Sequence, residues 1–280
     1  YCVITQTGLG CGVTSNTSEV KVTPGPTITV QPKSSTVCVN GVAATLDLTY
    51  INGTGSVSYE WFSNTINSTS SGSPISVSTS ATYTPPTTAV GTTYYYCILT
   101  FSSGGCGSIT SQIATVTVTP PPTVDVQPLV TQNICVGGII SSLTVTFKDG
   151  VGTPTYQWFL NTTNSNSGGT PITGATSINY TPPAFTTTGS FYYYLIATYP
   201  TTACGVVTSD AAEVVVVSDP VFDLQPLNNQ SVCQNTVPST LSVVASGGVG
   251  AYLYQWYKNT TNATVGGTLI PSATDSTYVP

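Results

Sequence analysis

The chain of 280 residues contains no histidine, no arginine and no methionine, and only 5% of its residues are charged. Without histidine, the commonest general base and the commonest metal ligand are missing, which excludes a Ser–His–Asp arrangement and argues against a zinc site. The net charge of −6 excludes the basic surface that nucleic-acid binding requires. No apolar run reaches the roughly 18 residues of a membrane span. We therefore expect no catalytic residue, no cofactor, no bound metal, no nucleic-acid partner and no membrane span.

Hydroxyl groups take the place of charges, since the sequence contains 52 threonines and 32 serines. Hydrophobic residues make up 40% and aromatic residues 10% of the chain, which is enough to form cores. The abundant β-branched and aromatic residues favour strands, and no segment shows the apolar period of a helix. The composition predicts an all-β protein.

Short motifs recur with a period of about one small domain. The tryptophans Trp61, Trp158 and Trp256 are 97 and 98 residues apart, and Cys38, Cys135 and Cys233 keep the same steps. The other recurring motifs are Gln31-Pro32, Gln127-Pro128 and Gln225-Pro226; Tyr83-Thr84-Pro85-Pro86 and Tyr180-Thr181-Pro182-Pro183; Tyr94-Tyr95-Tyr96 and Tyr192-Tyr193-Tyr194; and Cys11-Gly12, Cys106-Gly107 and Cys204-Gly205. Such a period indicates a tandem array of domains.

One repeat has the strand pattern of a β-sandwich. In the first full repeat we predict strand A at 27–30, B at 44–51, C at 57–62, short strands at 74–77 and 81–84, F at 93–101 and G at 110–118. Short strands with turns every 8–12 residues are typical of sandwiches. We predict tandem immunoglobulin-like β-sandwich domains forming an extended rod, because the proline-containing junctions between repeats are short.

The repeat divides the chain into four segments. Residues 1–22 correspond to the F–G strands of a preceding repeat, 23–119 and 120–218 are complete immunoglobulin-like domains, and 219–280 is the N-terminal part of a further repeat. Since both ends fall inside a repeat, we expect this chain to be part of a longer polypeptide.

The repeat resembles those of very large Bacteroidota surface proteins such as the SprB-type gliding-motility adhesins. The residues that carry the resemblance are the Gln31-Pro32 start, Val37-Cys38-Val39-Asn40-Gly41, Tyr156-Gln157-Trp158-Phe159, the Tyr-Thr-Pro-Pro motifs, the tyrosine triplets and Gly105-Cys106-Gly107. Within it, Tyr95 stands two residues before Cys97, as in the tyrosine corner of immunoglobulin domains, and Tyr193 is its equivalent. The resemblance implies export by the type IX secretion route and display on the cell surface.

The eight cysteines are expected to form disulfides in an oxidising medium. Residues 120–217 contain only Cys135 and Cys204, so these would pair within the domain. Cys38 and Cys106 would pair likewise, with nearly the same spacing. Each bond would tie the start of strand B to the F–G turn. Cys11 and Cys233 would have partners outside this chain. For Cys2 and Cys97 we favour buried thiols over an intermolecular bond or a reactive thiol.

The remaining candidate sites each have a structural alternative. We assign Trp61, Trp158, Trp256, Tyr95 and Tyr193 to the core and corner, and favour packing over a sugar-binding platform for the tyrosine triplets. Four acids near the second junction, Asp210, Glu213, Asp219 and Asp223, are interpreted as solvated rather than as a calcium site. Ser276, in Asp275-Ser276-Thr277, matches a short O-glycosylation signal of Bacteroidota exported proteins.

Three functions agree with these observations. The first is a segment of a giant secreted adhesin or filament that transmits adhesive force, for surface attachment or gliding, with a surface polysaccharide or other substratum, the cell-envelope secretion or motility machinery and neighbouring repeats as partners. The second is the spacer stalk of an exported polysaccharide-degrading enzyme. The third is a subunit of a self-assembling extracellular fibre, in which strands of one copy complete another.

Overall fold

The computed structural model describes residues 1–8, 10–75, 78–102, 107–200 and 204–280. Every regular element in these residues is a β-strand, so the predicted all-β class is confirmed. No helix that could cross a membrane is found in the described residues. The chain forms two compact units, one of Tyr1–Pro121 together with Cys204 and one of Pro122–Pro200 and Gly205–Pro280.

The strands are numbered in chain order. The first residues form the hairpin of β1 (Val3–Thr5) and β2 (Gly12–Thr14). The first complete repeat contains β3 (Thr27–Val30), β4 (Ser35–Cys38), β5 (Leu46–Asp47), β6 (Thr49–Ile51), β7 (Val57–Asn64), β8 (Ser73–Pro74), β9 (Thr82–Tyr83), β10 (Gly91–Phe101), β11 (Ser108–Thr110) and β12 (Ala114–Thr119). The second contains β13 (Thr123–Val126), β14 (Thr131–Cys135), β15 (Leu143–Thr144), β16 (Thr146–Lys148), β17 (Thr155–Asn161), β18 (Thr170–Pro171), β19 (Asn179–Tyr180), β20 (Gly189–Thr198), β21 (Val206–Thr208) and β22 (Ala212–Val217). The last segment contains β23 (Val221–Leu224), β24 (Leu241–Ser242), β25 (Val244–Ser246), β26 (Tyr257–Lys258), β27 (Thr268–Leu269) and β28 (Thr277–Tyr278).

Both complete repeats have the strand order of an immunoglobulin-like sandwich. In the first, the large sheet has the order β4-β12-β10-β7-β8, with β11 also on β10, and β3–β6 and β5–β9 form the opposing strand pairs. The second repeats this order with β14-β22-β20-β17-β18, with β21 on β20, and with β13–β16 and β15–β19. In immunoglobulin notation β3 is A, β4 is A′, β5 and β6 are B, β7 is C, β8 is C′, β9 is E, β10 is F, and β11 and β12 are G. The predicted sandwich class is confirmed.

Strand A′ was not predicted from the sequence, which placed Cys38 at the start of strand B. The structure places Cys38 at the end of β4, which runs parallel to β12 with Cys38 opposite Thr119. The second repeat has the same parallel pair, with Cys135 opposite Val217. Strand A therefore has a continuation that crosses to the other sheet, and this continuation decides where the cysteine lies.

The core of each complete repeat forms around its tryptophan. Trp61 and Trp158 are fully buried, and each indole N–H donates a hydrogen bond to a carbonyl 19 residues later, at 2.9 and 2.8 Å. Tyr95 and Tyr193 are buried on the same side. The side chains of β12 alternate between buried and half-buried positions, as expected for a strand with one face on a core.

The opposite face of the large sheet is also covered. Tyr96 is buried and stacks on Phe62, with 5.0 Å between ring centroids. The loop after β7 lies over this pair so closely that a Cβ on Gly72 would approach the Tyr96 hydroxyl within 2.6 Å. Tyr194 stacks on Phe159 in the same way in the second repeat. The outer face of strand F is therefore packed at this tyrosine and not solvent-exposed there.

In the last segment Trp256 is only half-buried, unlike the other two tryptophans that we assigned to the core. Its indole N–H still donates to a carbonyl, that of Asp275, at 2.9 Å. The strands beside the three tryptophans differ. Trp61 and Trp158 lie opposite residues of strand F, Cys97 and Leu195. No strand occupies that place beside Trp256 in the described part of the chain, so one side of the indole stays open.

Candidate functional site

Strand pairing places the end of A′ far from the F–G turn of the same repeat. Cys38 lies opposite Thr119, and the neighbouring Val118 pairs with Gly91 at the start of β10. Strand β10 then runs for 11 residues to Phe101, where the connection to β11 begins. At about 3.3 Å per residue, this strand spans about 33 Å. Cys38 and the β10–β11 connection therefore lie at opposite ends of the sheet.

The predicted disulfides within a repeat are wrong. Cys38 is bonded to Cys204, 166 residues away, with 5.2 Å between their Cα atoms. Cys135, the predicted partner of Cys204, is half-buried and forms no disulfide among the residues described. Cys106, the predicted partner of Cys38, lies outside the described residues. Because a disulfide needs Cα atoms within about 7 Å, a cysteine at the end of A′ cannot reach the F–G turn of its own repeat.

The second repeat has the same geometry. Cys135 ends β14 opposite Val217, and Val216 pairs with Gly189, where β20 begins. Strand β20 runs 10 residues before the connection that carries Cys204, which is about 30 Å of strand. Each complete repeat therefore has an A′ cysteine (Cys38 or Cys135) beside the C-terminal end of its last strand, β12 or β22. Cys204 marks the opposite end of its own repeat, so the bond joins the first repeat to the F–G turn of the next.

The disulfide is shielded from solvent. Cys38 is fully buried and Cys204 is nearly so. The Thr119 hydroxyl donates to Cys38 Sγ at 3.8 Å, and the Val39 N–H donates to the Thr119 carbonyl at 2.9 Å. These contacts fix the end of β4 against the end of β12. Closing a loop of 166 residues stabilises the folded chain by about 5 kcal/mol in the chain-entropy model.

Cys135 lines an open apolar groove of about 410 Å³ in the second compact unit. The other walls come from the last segment and include Phe222, Tyr252, Leu253 and Tyr254. The Leu253 side chain is 96% exposed and Tyr252 39% exposed. An exposed apolar cluster of this kind is a typical interaction surface.

Cys97 lies in the core of the first repeat and is fully buried. Its backbone N–H donates to the Ser111 hydroxyl at 2.9 Å, and Leu195 makes the same bond to Ser209 in the second repeat. Burial raises the pKa of the Cys97 thiol to about 12. The thiol is therefore protonated at neutral pH, and this position accepts either cysteine or leucine as a packing residue. Cys2, which we also expected to be a buried thiol, is exposed, as is Cys233.

The other candidate residues do not converge on a site. No group of three or more acids, histidines or cysteines that could hold a metal occurs among the described residues. Of the acids considered for calcium, Glu213 accepts a hydrogen bond from Tyr192 at 3.0 Å and Asp223 accepts one from Ser246 at 2.8 Å. The central and third tyrosines of each triplet are buried and are not available as a sugar-binding platform. Ser276 is half-buried, and its backbone carbonyl accepts from the Val243 N–H. Its glycosylation stays a prediction.

A protein-family model matches this sequence twice. The family is described as a domain of unknown function, DUF8696, and it matches residues 27–120 and 129–218. These two matches cover the two complete repeats. No curated protein matches the chain.

Solved structures similar to this chain are tandem immunoglobulin-like or fibronectin-like modules. The I-band fragment I67–I69 of titin is 14% identical, with a TM-score of 0.47 over 85% of this chain and 86% of that one. Immunoglobulin domains 1–5 of Sidekick-1 are 16% identical, with a TM-score of 0.36 over 91% of this chain and 52% of that one. Fibronectin(III)-like modules of Clostridium thermocellum CbhA are 18% identical, with a TM-score of 0.33 over 68% and 93%. At these scores the fold assignment rests on the strand order described above.

Proposed function

This chain belongs to the family described as a domain of unknown function (DUF8696), and we propose that it is a force-transmitting segment of a large extracellular adhesin or filament. Tandem immunoglobulin-like domains are typical of extracellular adhesion and stalk proteins. The segment projects from the cell and carries load between a distal attachment site and the cell envelope. Its role is mechanical and not enzymatic.

The observation that carries this proposal is the Cys38–Cys204 disulfide. Load that enters at the N-terminal end of the chain reaches Cys38 and passes through the sulfur atoms to Cys204. Residues 39–203, which include most of both complete repeats, are bypassed. Such a bond limits how far the chain extends under tension, which a tether needs and a freely diffusing binding module does not.

The same bond supports an extracellular location for the protein. Disulfides form and persist in oxidising, extracellular environments, and a surface solubilised by hydroxyl groups and not by charge is insensitive to salt. The sequence resemblance to gliding-motility adhesins supports type IX secretion and display on the cell surface. The partners we propose are a surface polysaccharide or other substratum at the distal side and the secretion or motility machinery at the cell side.

The test uses antibody against residues 1–280 on intact cells that make the protein. We expect labelling without permeabilisation, and we expect monovalent antibody fragments to reduce the number of cells attached to glass or to a polysaccharide-coated surface. Fragments of an antibody against an unrelated surface protein provide the control. Labelling only after permeabilisation would contradict the proposal. Surface labelling with unchanged attachment, on a polypeptide that also degrades polysaccharide, would assign the segment to an enzyme stalk instead.

A further inference from the structure

A polar groove of about 490 Å³ lies on the second complete repeat. Its walls come from three connections: residues 127–130 after β13, residues 164–166 after β17, and Asp210-Ala211 between β21 and β22. All three connections belong to one complete sandwich. A cleft of this volume is in the range of small-molecule binding sites.

Two amide side chains of the groove are held in place by the backbone. The Asp210 N–H donates to Gln127 Oε1 at 2.8 Å, and Asn166 Nδ2 donates to the Ser209 carbonyl at 3.0 Å. Ser209 is fully buried, and its hydroxyl accepts from the Leu195 N–H at 2.9 Å, so this carbonyl is anchored on the core. Each amide is fixed through one of its two polar atoms, which leaves the Gln127 Nε2 and the Asn166 Oδ1 available to a ligand.

The groove therefore combines hydrogen-bond donors with acceptors. Gln127 offers N–H groups, Asn166 offers an amide oxygen, and Asp210 offers an exposed carboxylate. A calcium or magnesium ion takes oxygen ligands only, which the N–H groups of Gln127 do not supply, and an anion is repelled by Asp210. A hydroxyl group both donates and accepts, so a neutral ligand with adjacent hydroxyls satisfies all three side chains. Val130, which is 71% exposed, adds an apolar wall for the C–H groups of such a ligand.

The first repeat has the same scaffold at this place but different side chains. Gln31 accepts from the Gln112 N–H at 2.8 Å, in the same way as Gln127 in the second repeat. Four of the eight positions that line the groove nevertheless differ between the two repeats. The differing pairs, first repeat before second, are Ser34 and Val130, Thr69 and Asn166, Gln112 and Asp210, and Ile113 and Ala211. Loops that vary on a constant scaffold are where binding residues are typically found.

We propose that this groove binds a neutral saccharide directly through its side chains. Asp210 and Asn166 accept hydrogen bonds from adjacent hydroxyl groups, and Gln127 donates one. Because both amides are already fixed, the ligand does not have to order them, which favours binding. The inference rests on the proposed function for the source of the ligand, a polysaccharide of the surface to which the segment attaches.

The first experiment titrates the purified 280-residue chain with defined trisaccharides by isothermal titration calorimetry. Cellotriose, laminaritriose, maltotriose and mannotriose are the neutral probes, and trigalacturonate is the anionic one. We expect at least one neutral probe to bind and trigalacturonate to bind more weakly or not at all, because Asp210 repels it. Absence of binding by every neutral probe at millimolar concentration would overturn the inference, as would binding of trigalacturonate alone.

The second experiment gives the groove the residues of the first repeat. Asn166→Thr combined with Asp210→Gln should weaken binding of the neutral probe by about tenfold or more, because it removes a charged acceptor and a fixed amide. The same scaffold carries these residues in the first repeat, so the variant should unfold at the temperature of the wild-type chain. Asp149→Asn is the matched control, since it removes an exposed acid of the same repeat outside the groove and Asn52 occupies the corresponding place in the first repeat.

Three outcomes of these titrations would contradict the proposal. Unchanged affinity in the double variant would place the saccharide elsewhere, and an equal loss in Asp149→Asn would assign the effect to net charge. Binding of calcium chloride alone that the double variant abolishes would make Asp210 a cation ligand. The test is independent of the cell experiment: if the purified chain binds no saccharide while antibody fragments still block attachment, the groove is ruled out and the proposed function stands.

Discussion

The Cys38–Cys204 bond predicts how far a single molecule extends when its two ends are pulled apart. An extended chain spans at most about 3.5 Å per residue. Fully unfolded, 280 residues reach about 980 Å. The disulfide removes the stretch between its cysteines, a sequence separation of 166, from the load path, which withholds about 580 Å. The oxidised molecule should therefore stop at about 400 Å, even after every domain has unfolded.

Optical tweezers or an atomic force microscope measure this extension directly. Cys38→Ser should restore the full length of about 980 Å without added reductant. Cys233→Ser is the control, because it removes an exposed thiol and leaves the bond in place. In the wild-type chain a reductant should release the withheld length only after unfolding exposes the buried sulfur atoms.

Two results would refute the reasoning. If the oxidised chain and Cys38→Ser extend equally, the bond does not carry load. If instead each complete repeat withholds about 240 Å separately, the cysteines pair within repeats. That pattern would require Cys38 to reach a turn about 33 Å away along β10, against the observed register.

Three further predictions concern the stability of single repeats. Ser111→Ala leaves the buried N–H of Cys97 without an acceptor and should destabilise the chain by about 1–3 kcal/mol in thermal unfolding. Ser108→Ala, at an exposed position, should change the stability little. Equal effects of the two variants would contradict the role of the Ser111 hydroxyl as this acceptor. Gly169→Ala places a Cβ 2.8 Å from a backbone carbonyl of β17 and should lower stability by about 1–3 kcal/mol, with Gly25→Ala, which meets no atom within 4 Å, as the control. Burial raises the pKa of Cys97 to about 12, so the thiol of the unfolded chain ionises first as the pH rises above about 9. The free energy of unfolding should therefore fall between about pH 9 and 12. Cys97→Leu should make this fall shallower, and an unchanged slope would show that the thiol does not contribute.

The fold could be predicted from the sequence because the same pattern of residues recurs in each repeat. Strand β3 has the predicted bounds, 27–30, and β10 extends the predicted strand F by two residues. The tryptophan has the same role in all three copies, since each indole N–H donates to a carbonyl 19 residues later. Period-2 patterns and repeated aromatic residues indicate strands and buried positions, because strand geometry and burial determine which residues occur there.

The disulfide was not accessible in the same way. Along the sequence, each A′ cysteine is followed by an F–G turn cysteine. This order is equally compatible with disulfides inside one repeat and with disulfides between neighbouring repeats. What decides the pairing is the direction of strand A′, which pairs in parallel with the last strand of its repeat. The short apolar pair Val37-Cys38 before the turn at Asn40 was the available signal for this strand. No local pattern states which strand it joins, because that pairing is a property of the assembled sandwich.

Packing of the tyrosine triplets was predicted from the sequence, but the segment that covers Tyr96 was not, for a related reason. A period of two places Tyr96 on the face opposite Tyr95, which in many sandwiches is exposed. Here the polar loop after β7 folds over that face, and Asn64 holds it by donating to the carbonyls of Ser68 and Ser70 at 3.0 Å. Asn161 makes the equivalent bonds in the second repeat. The serine-rich loop has the composition of an exposed segment, but its backbone covers an aromatic pair.

The bond between Cys38 and Cys204 also changes what a protease can do to the chain. A single cut at any peptide bond between these residues opens a loop but leaves both ends of the polypeptide covalently joined. Most of the loops of both complete repeats fall within this span. Outside a cell, where a severed protein is neither resynthesised in place nor repaired, a segment built in this way keeps its distal end attached after the first cleavage.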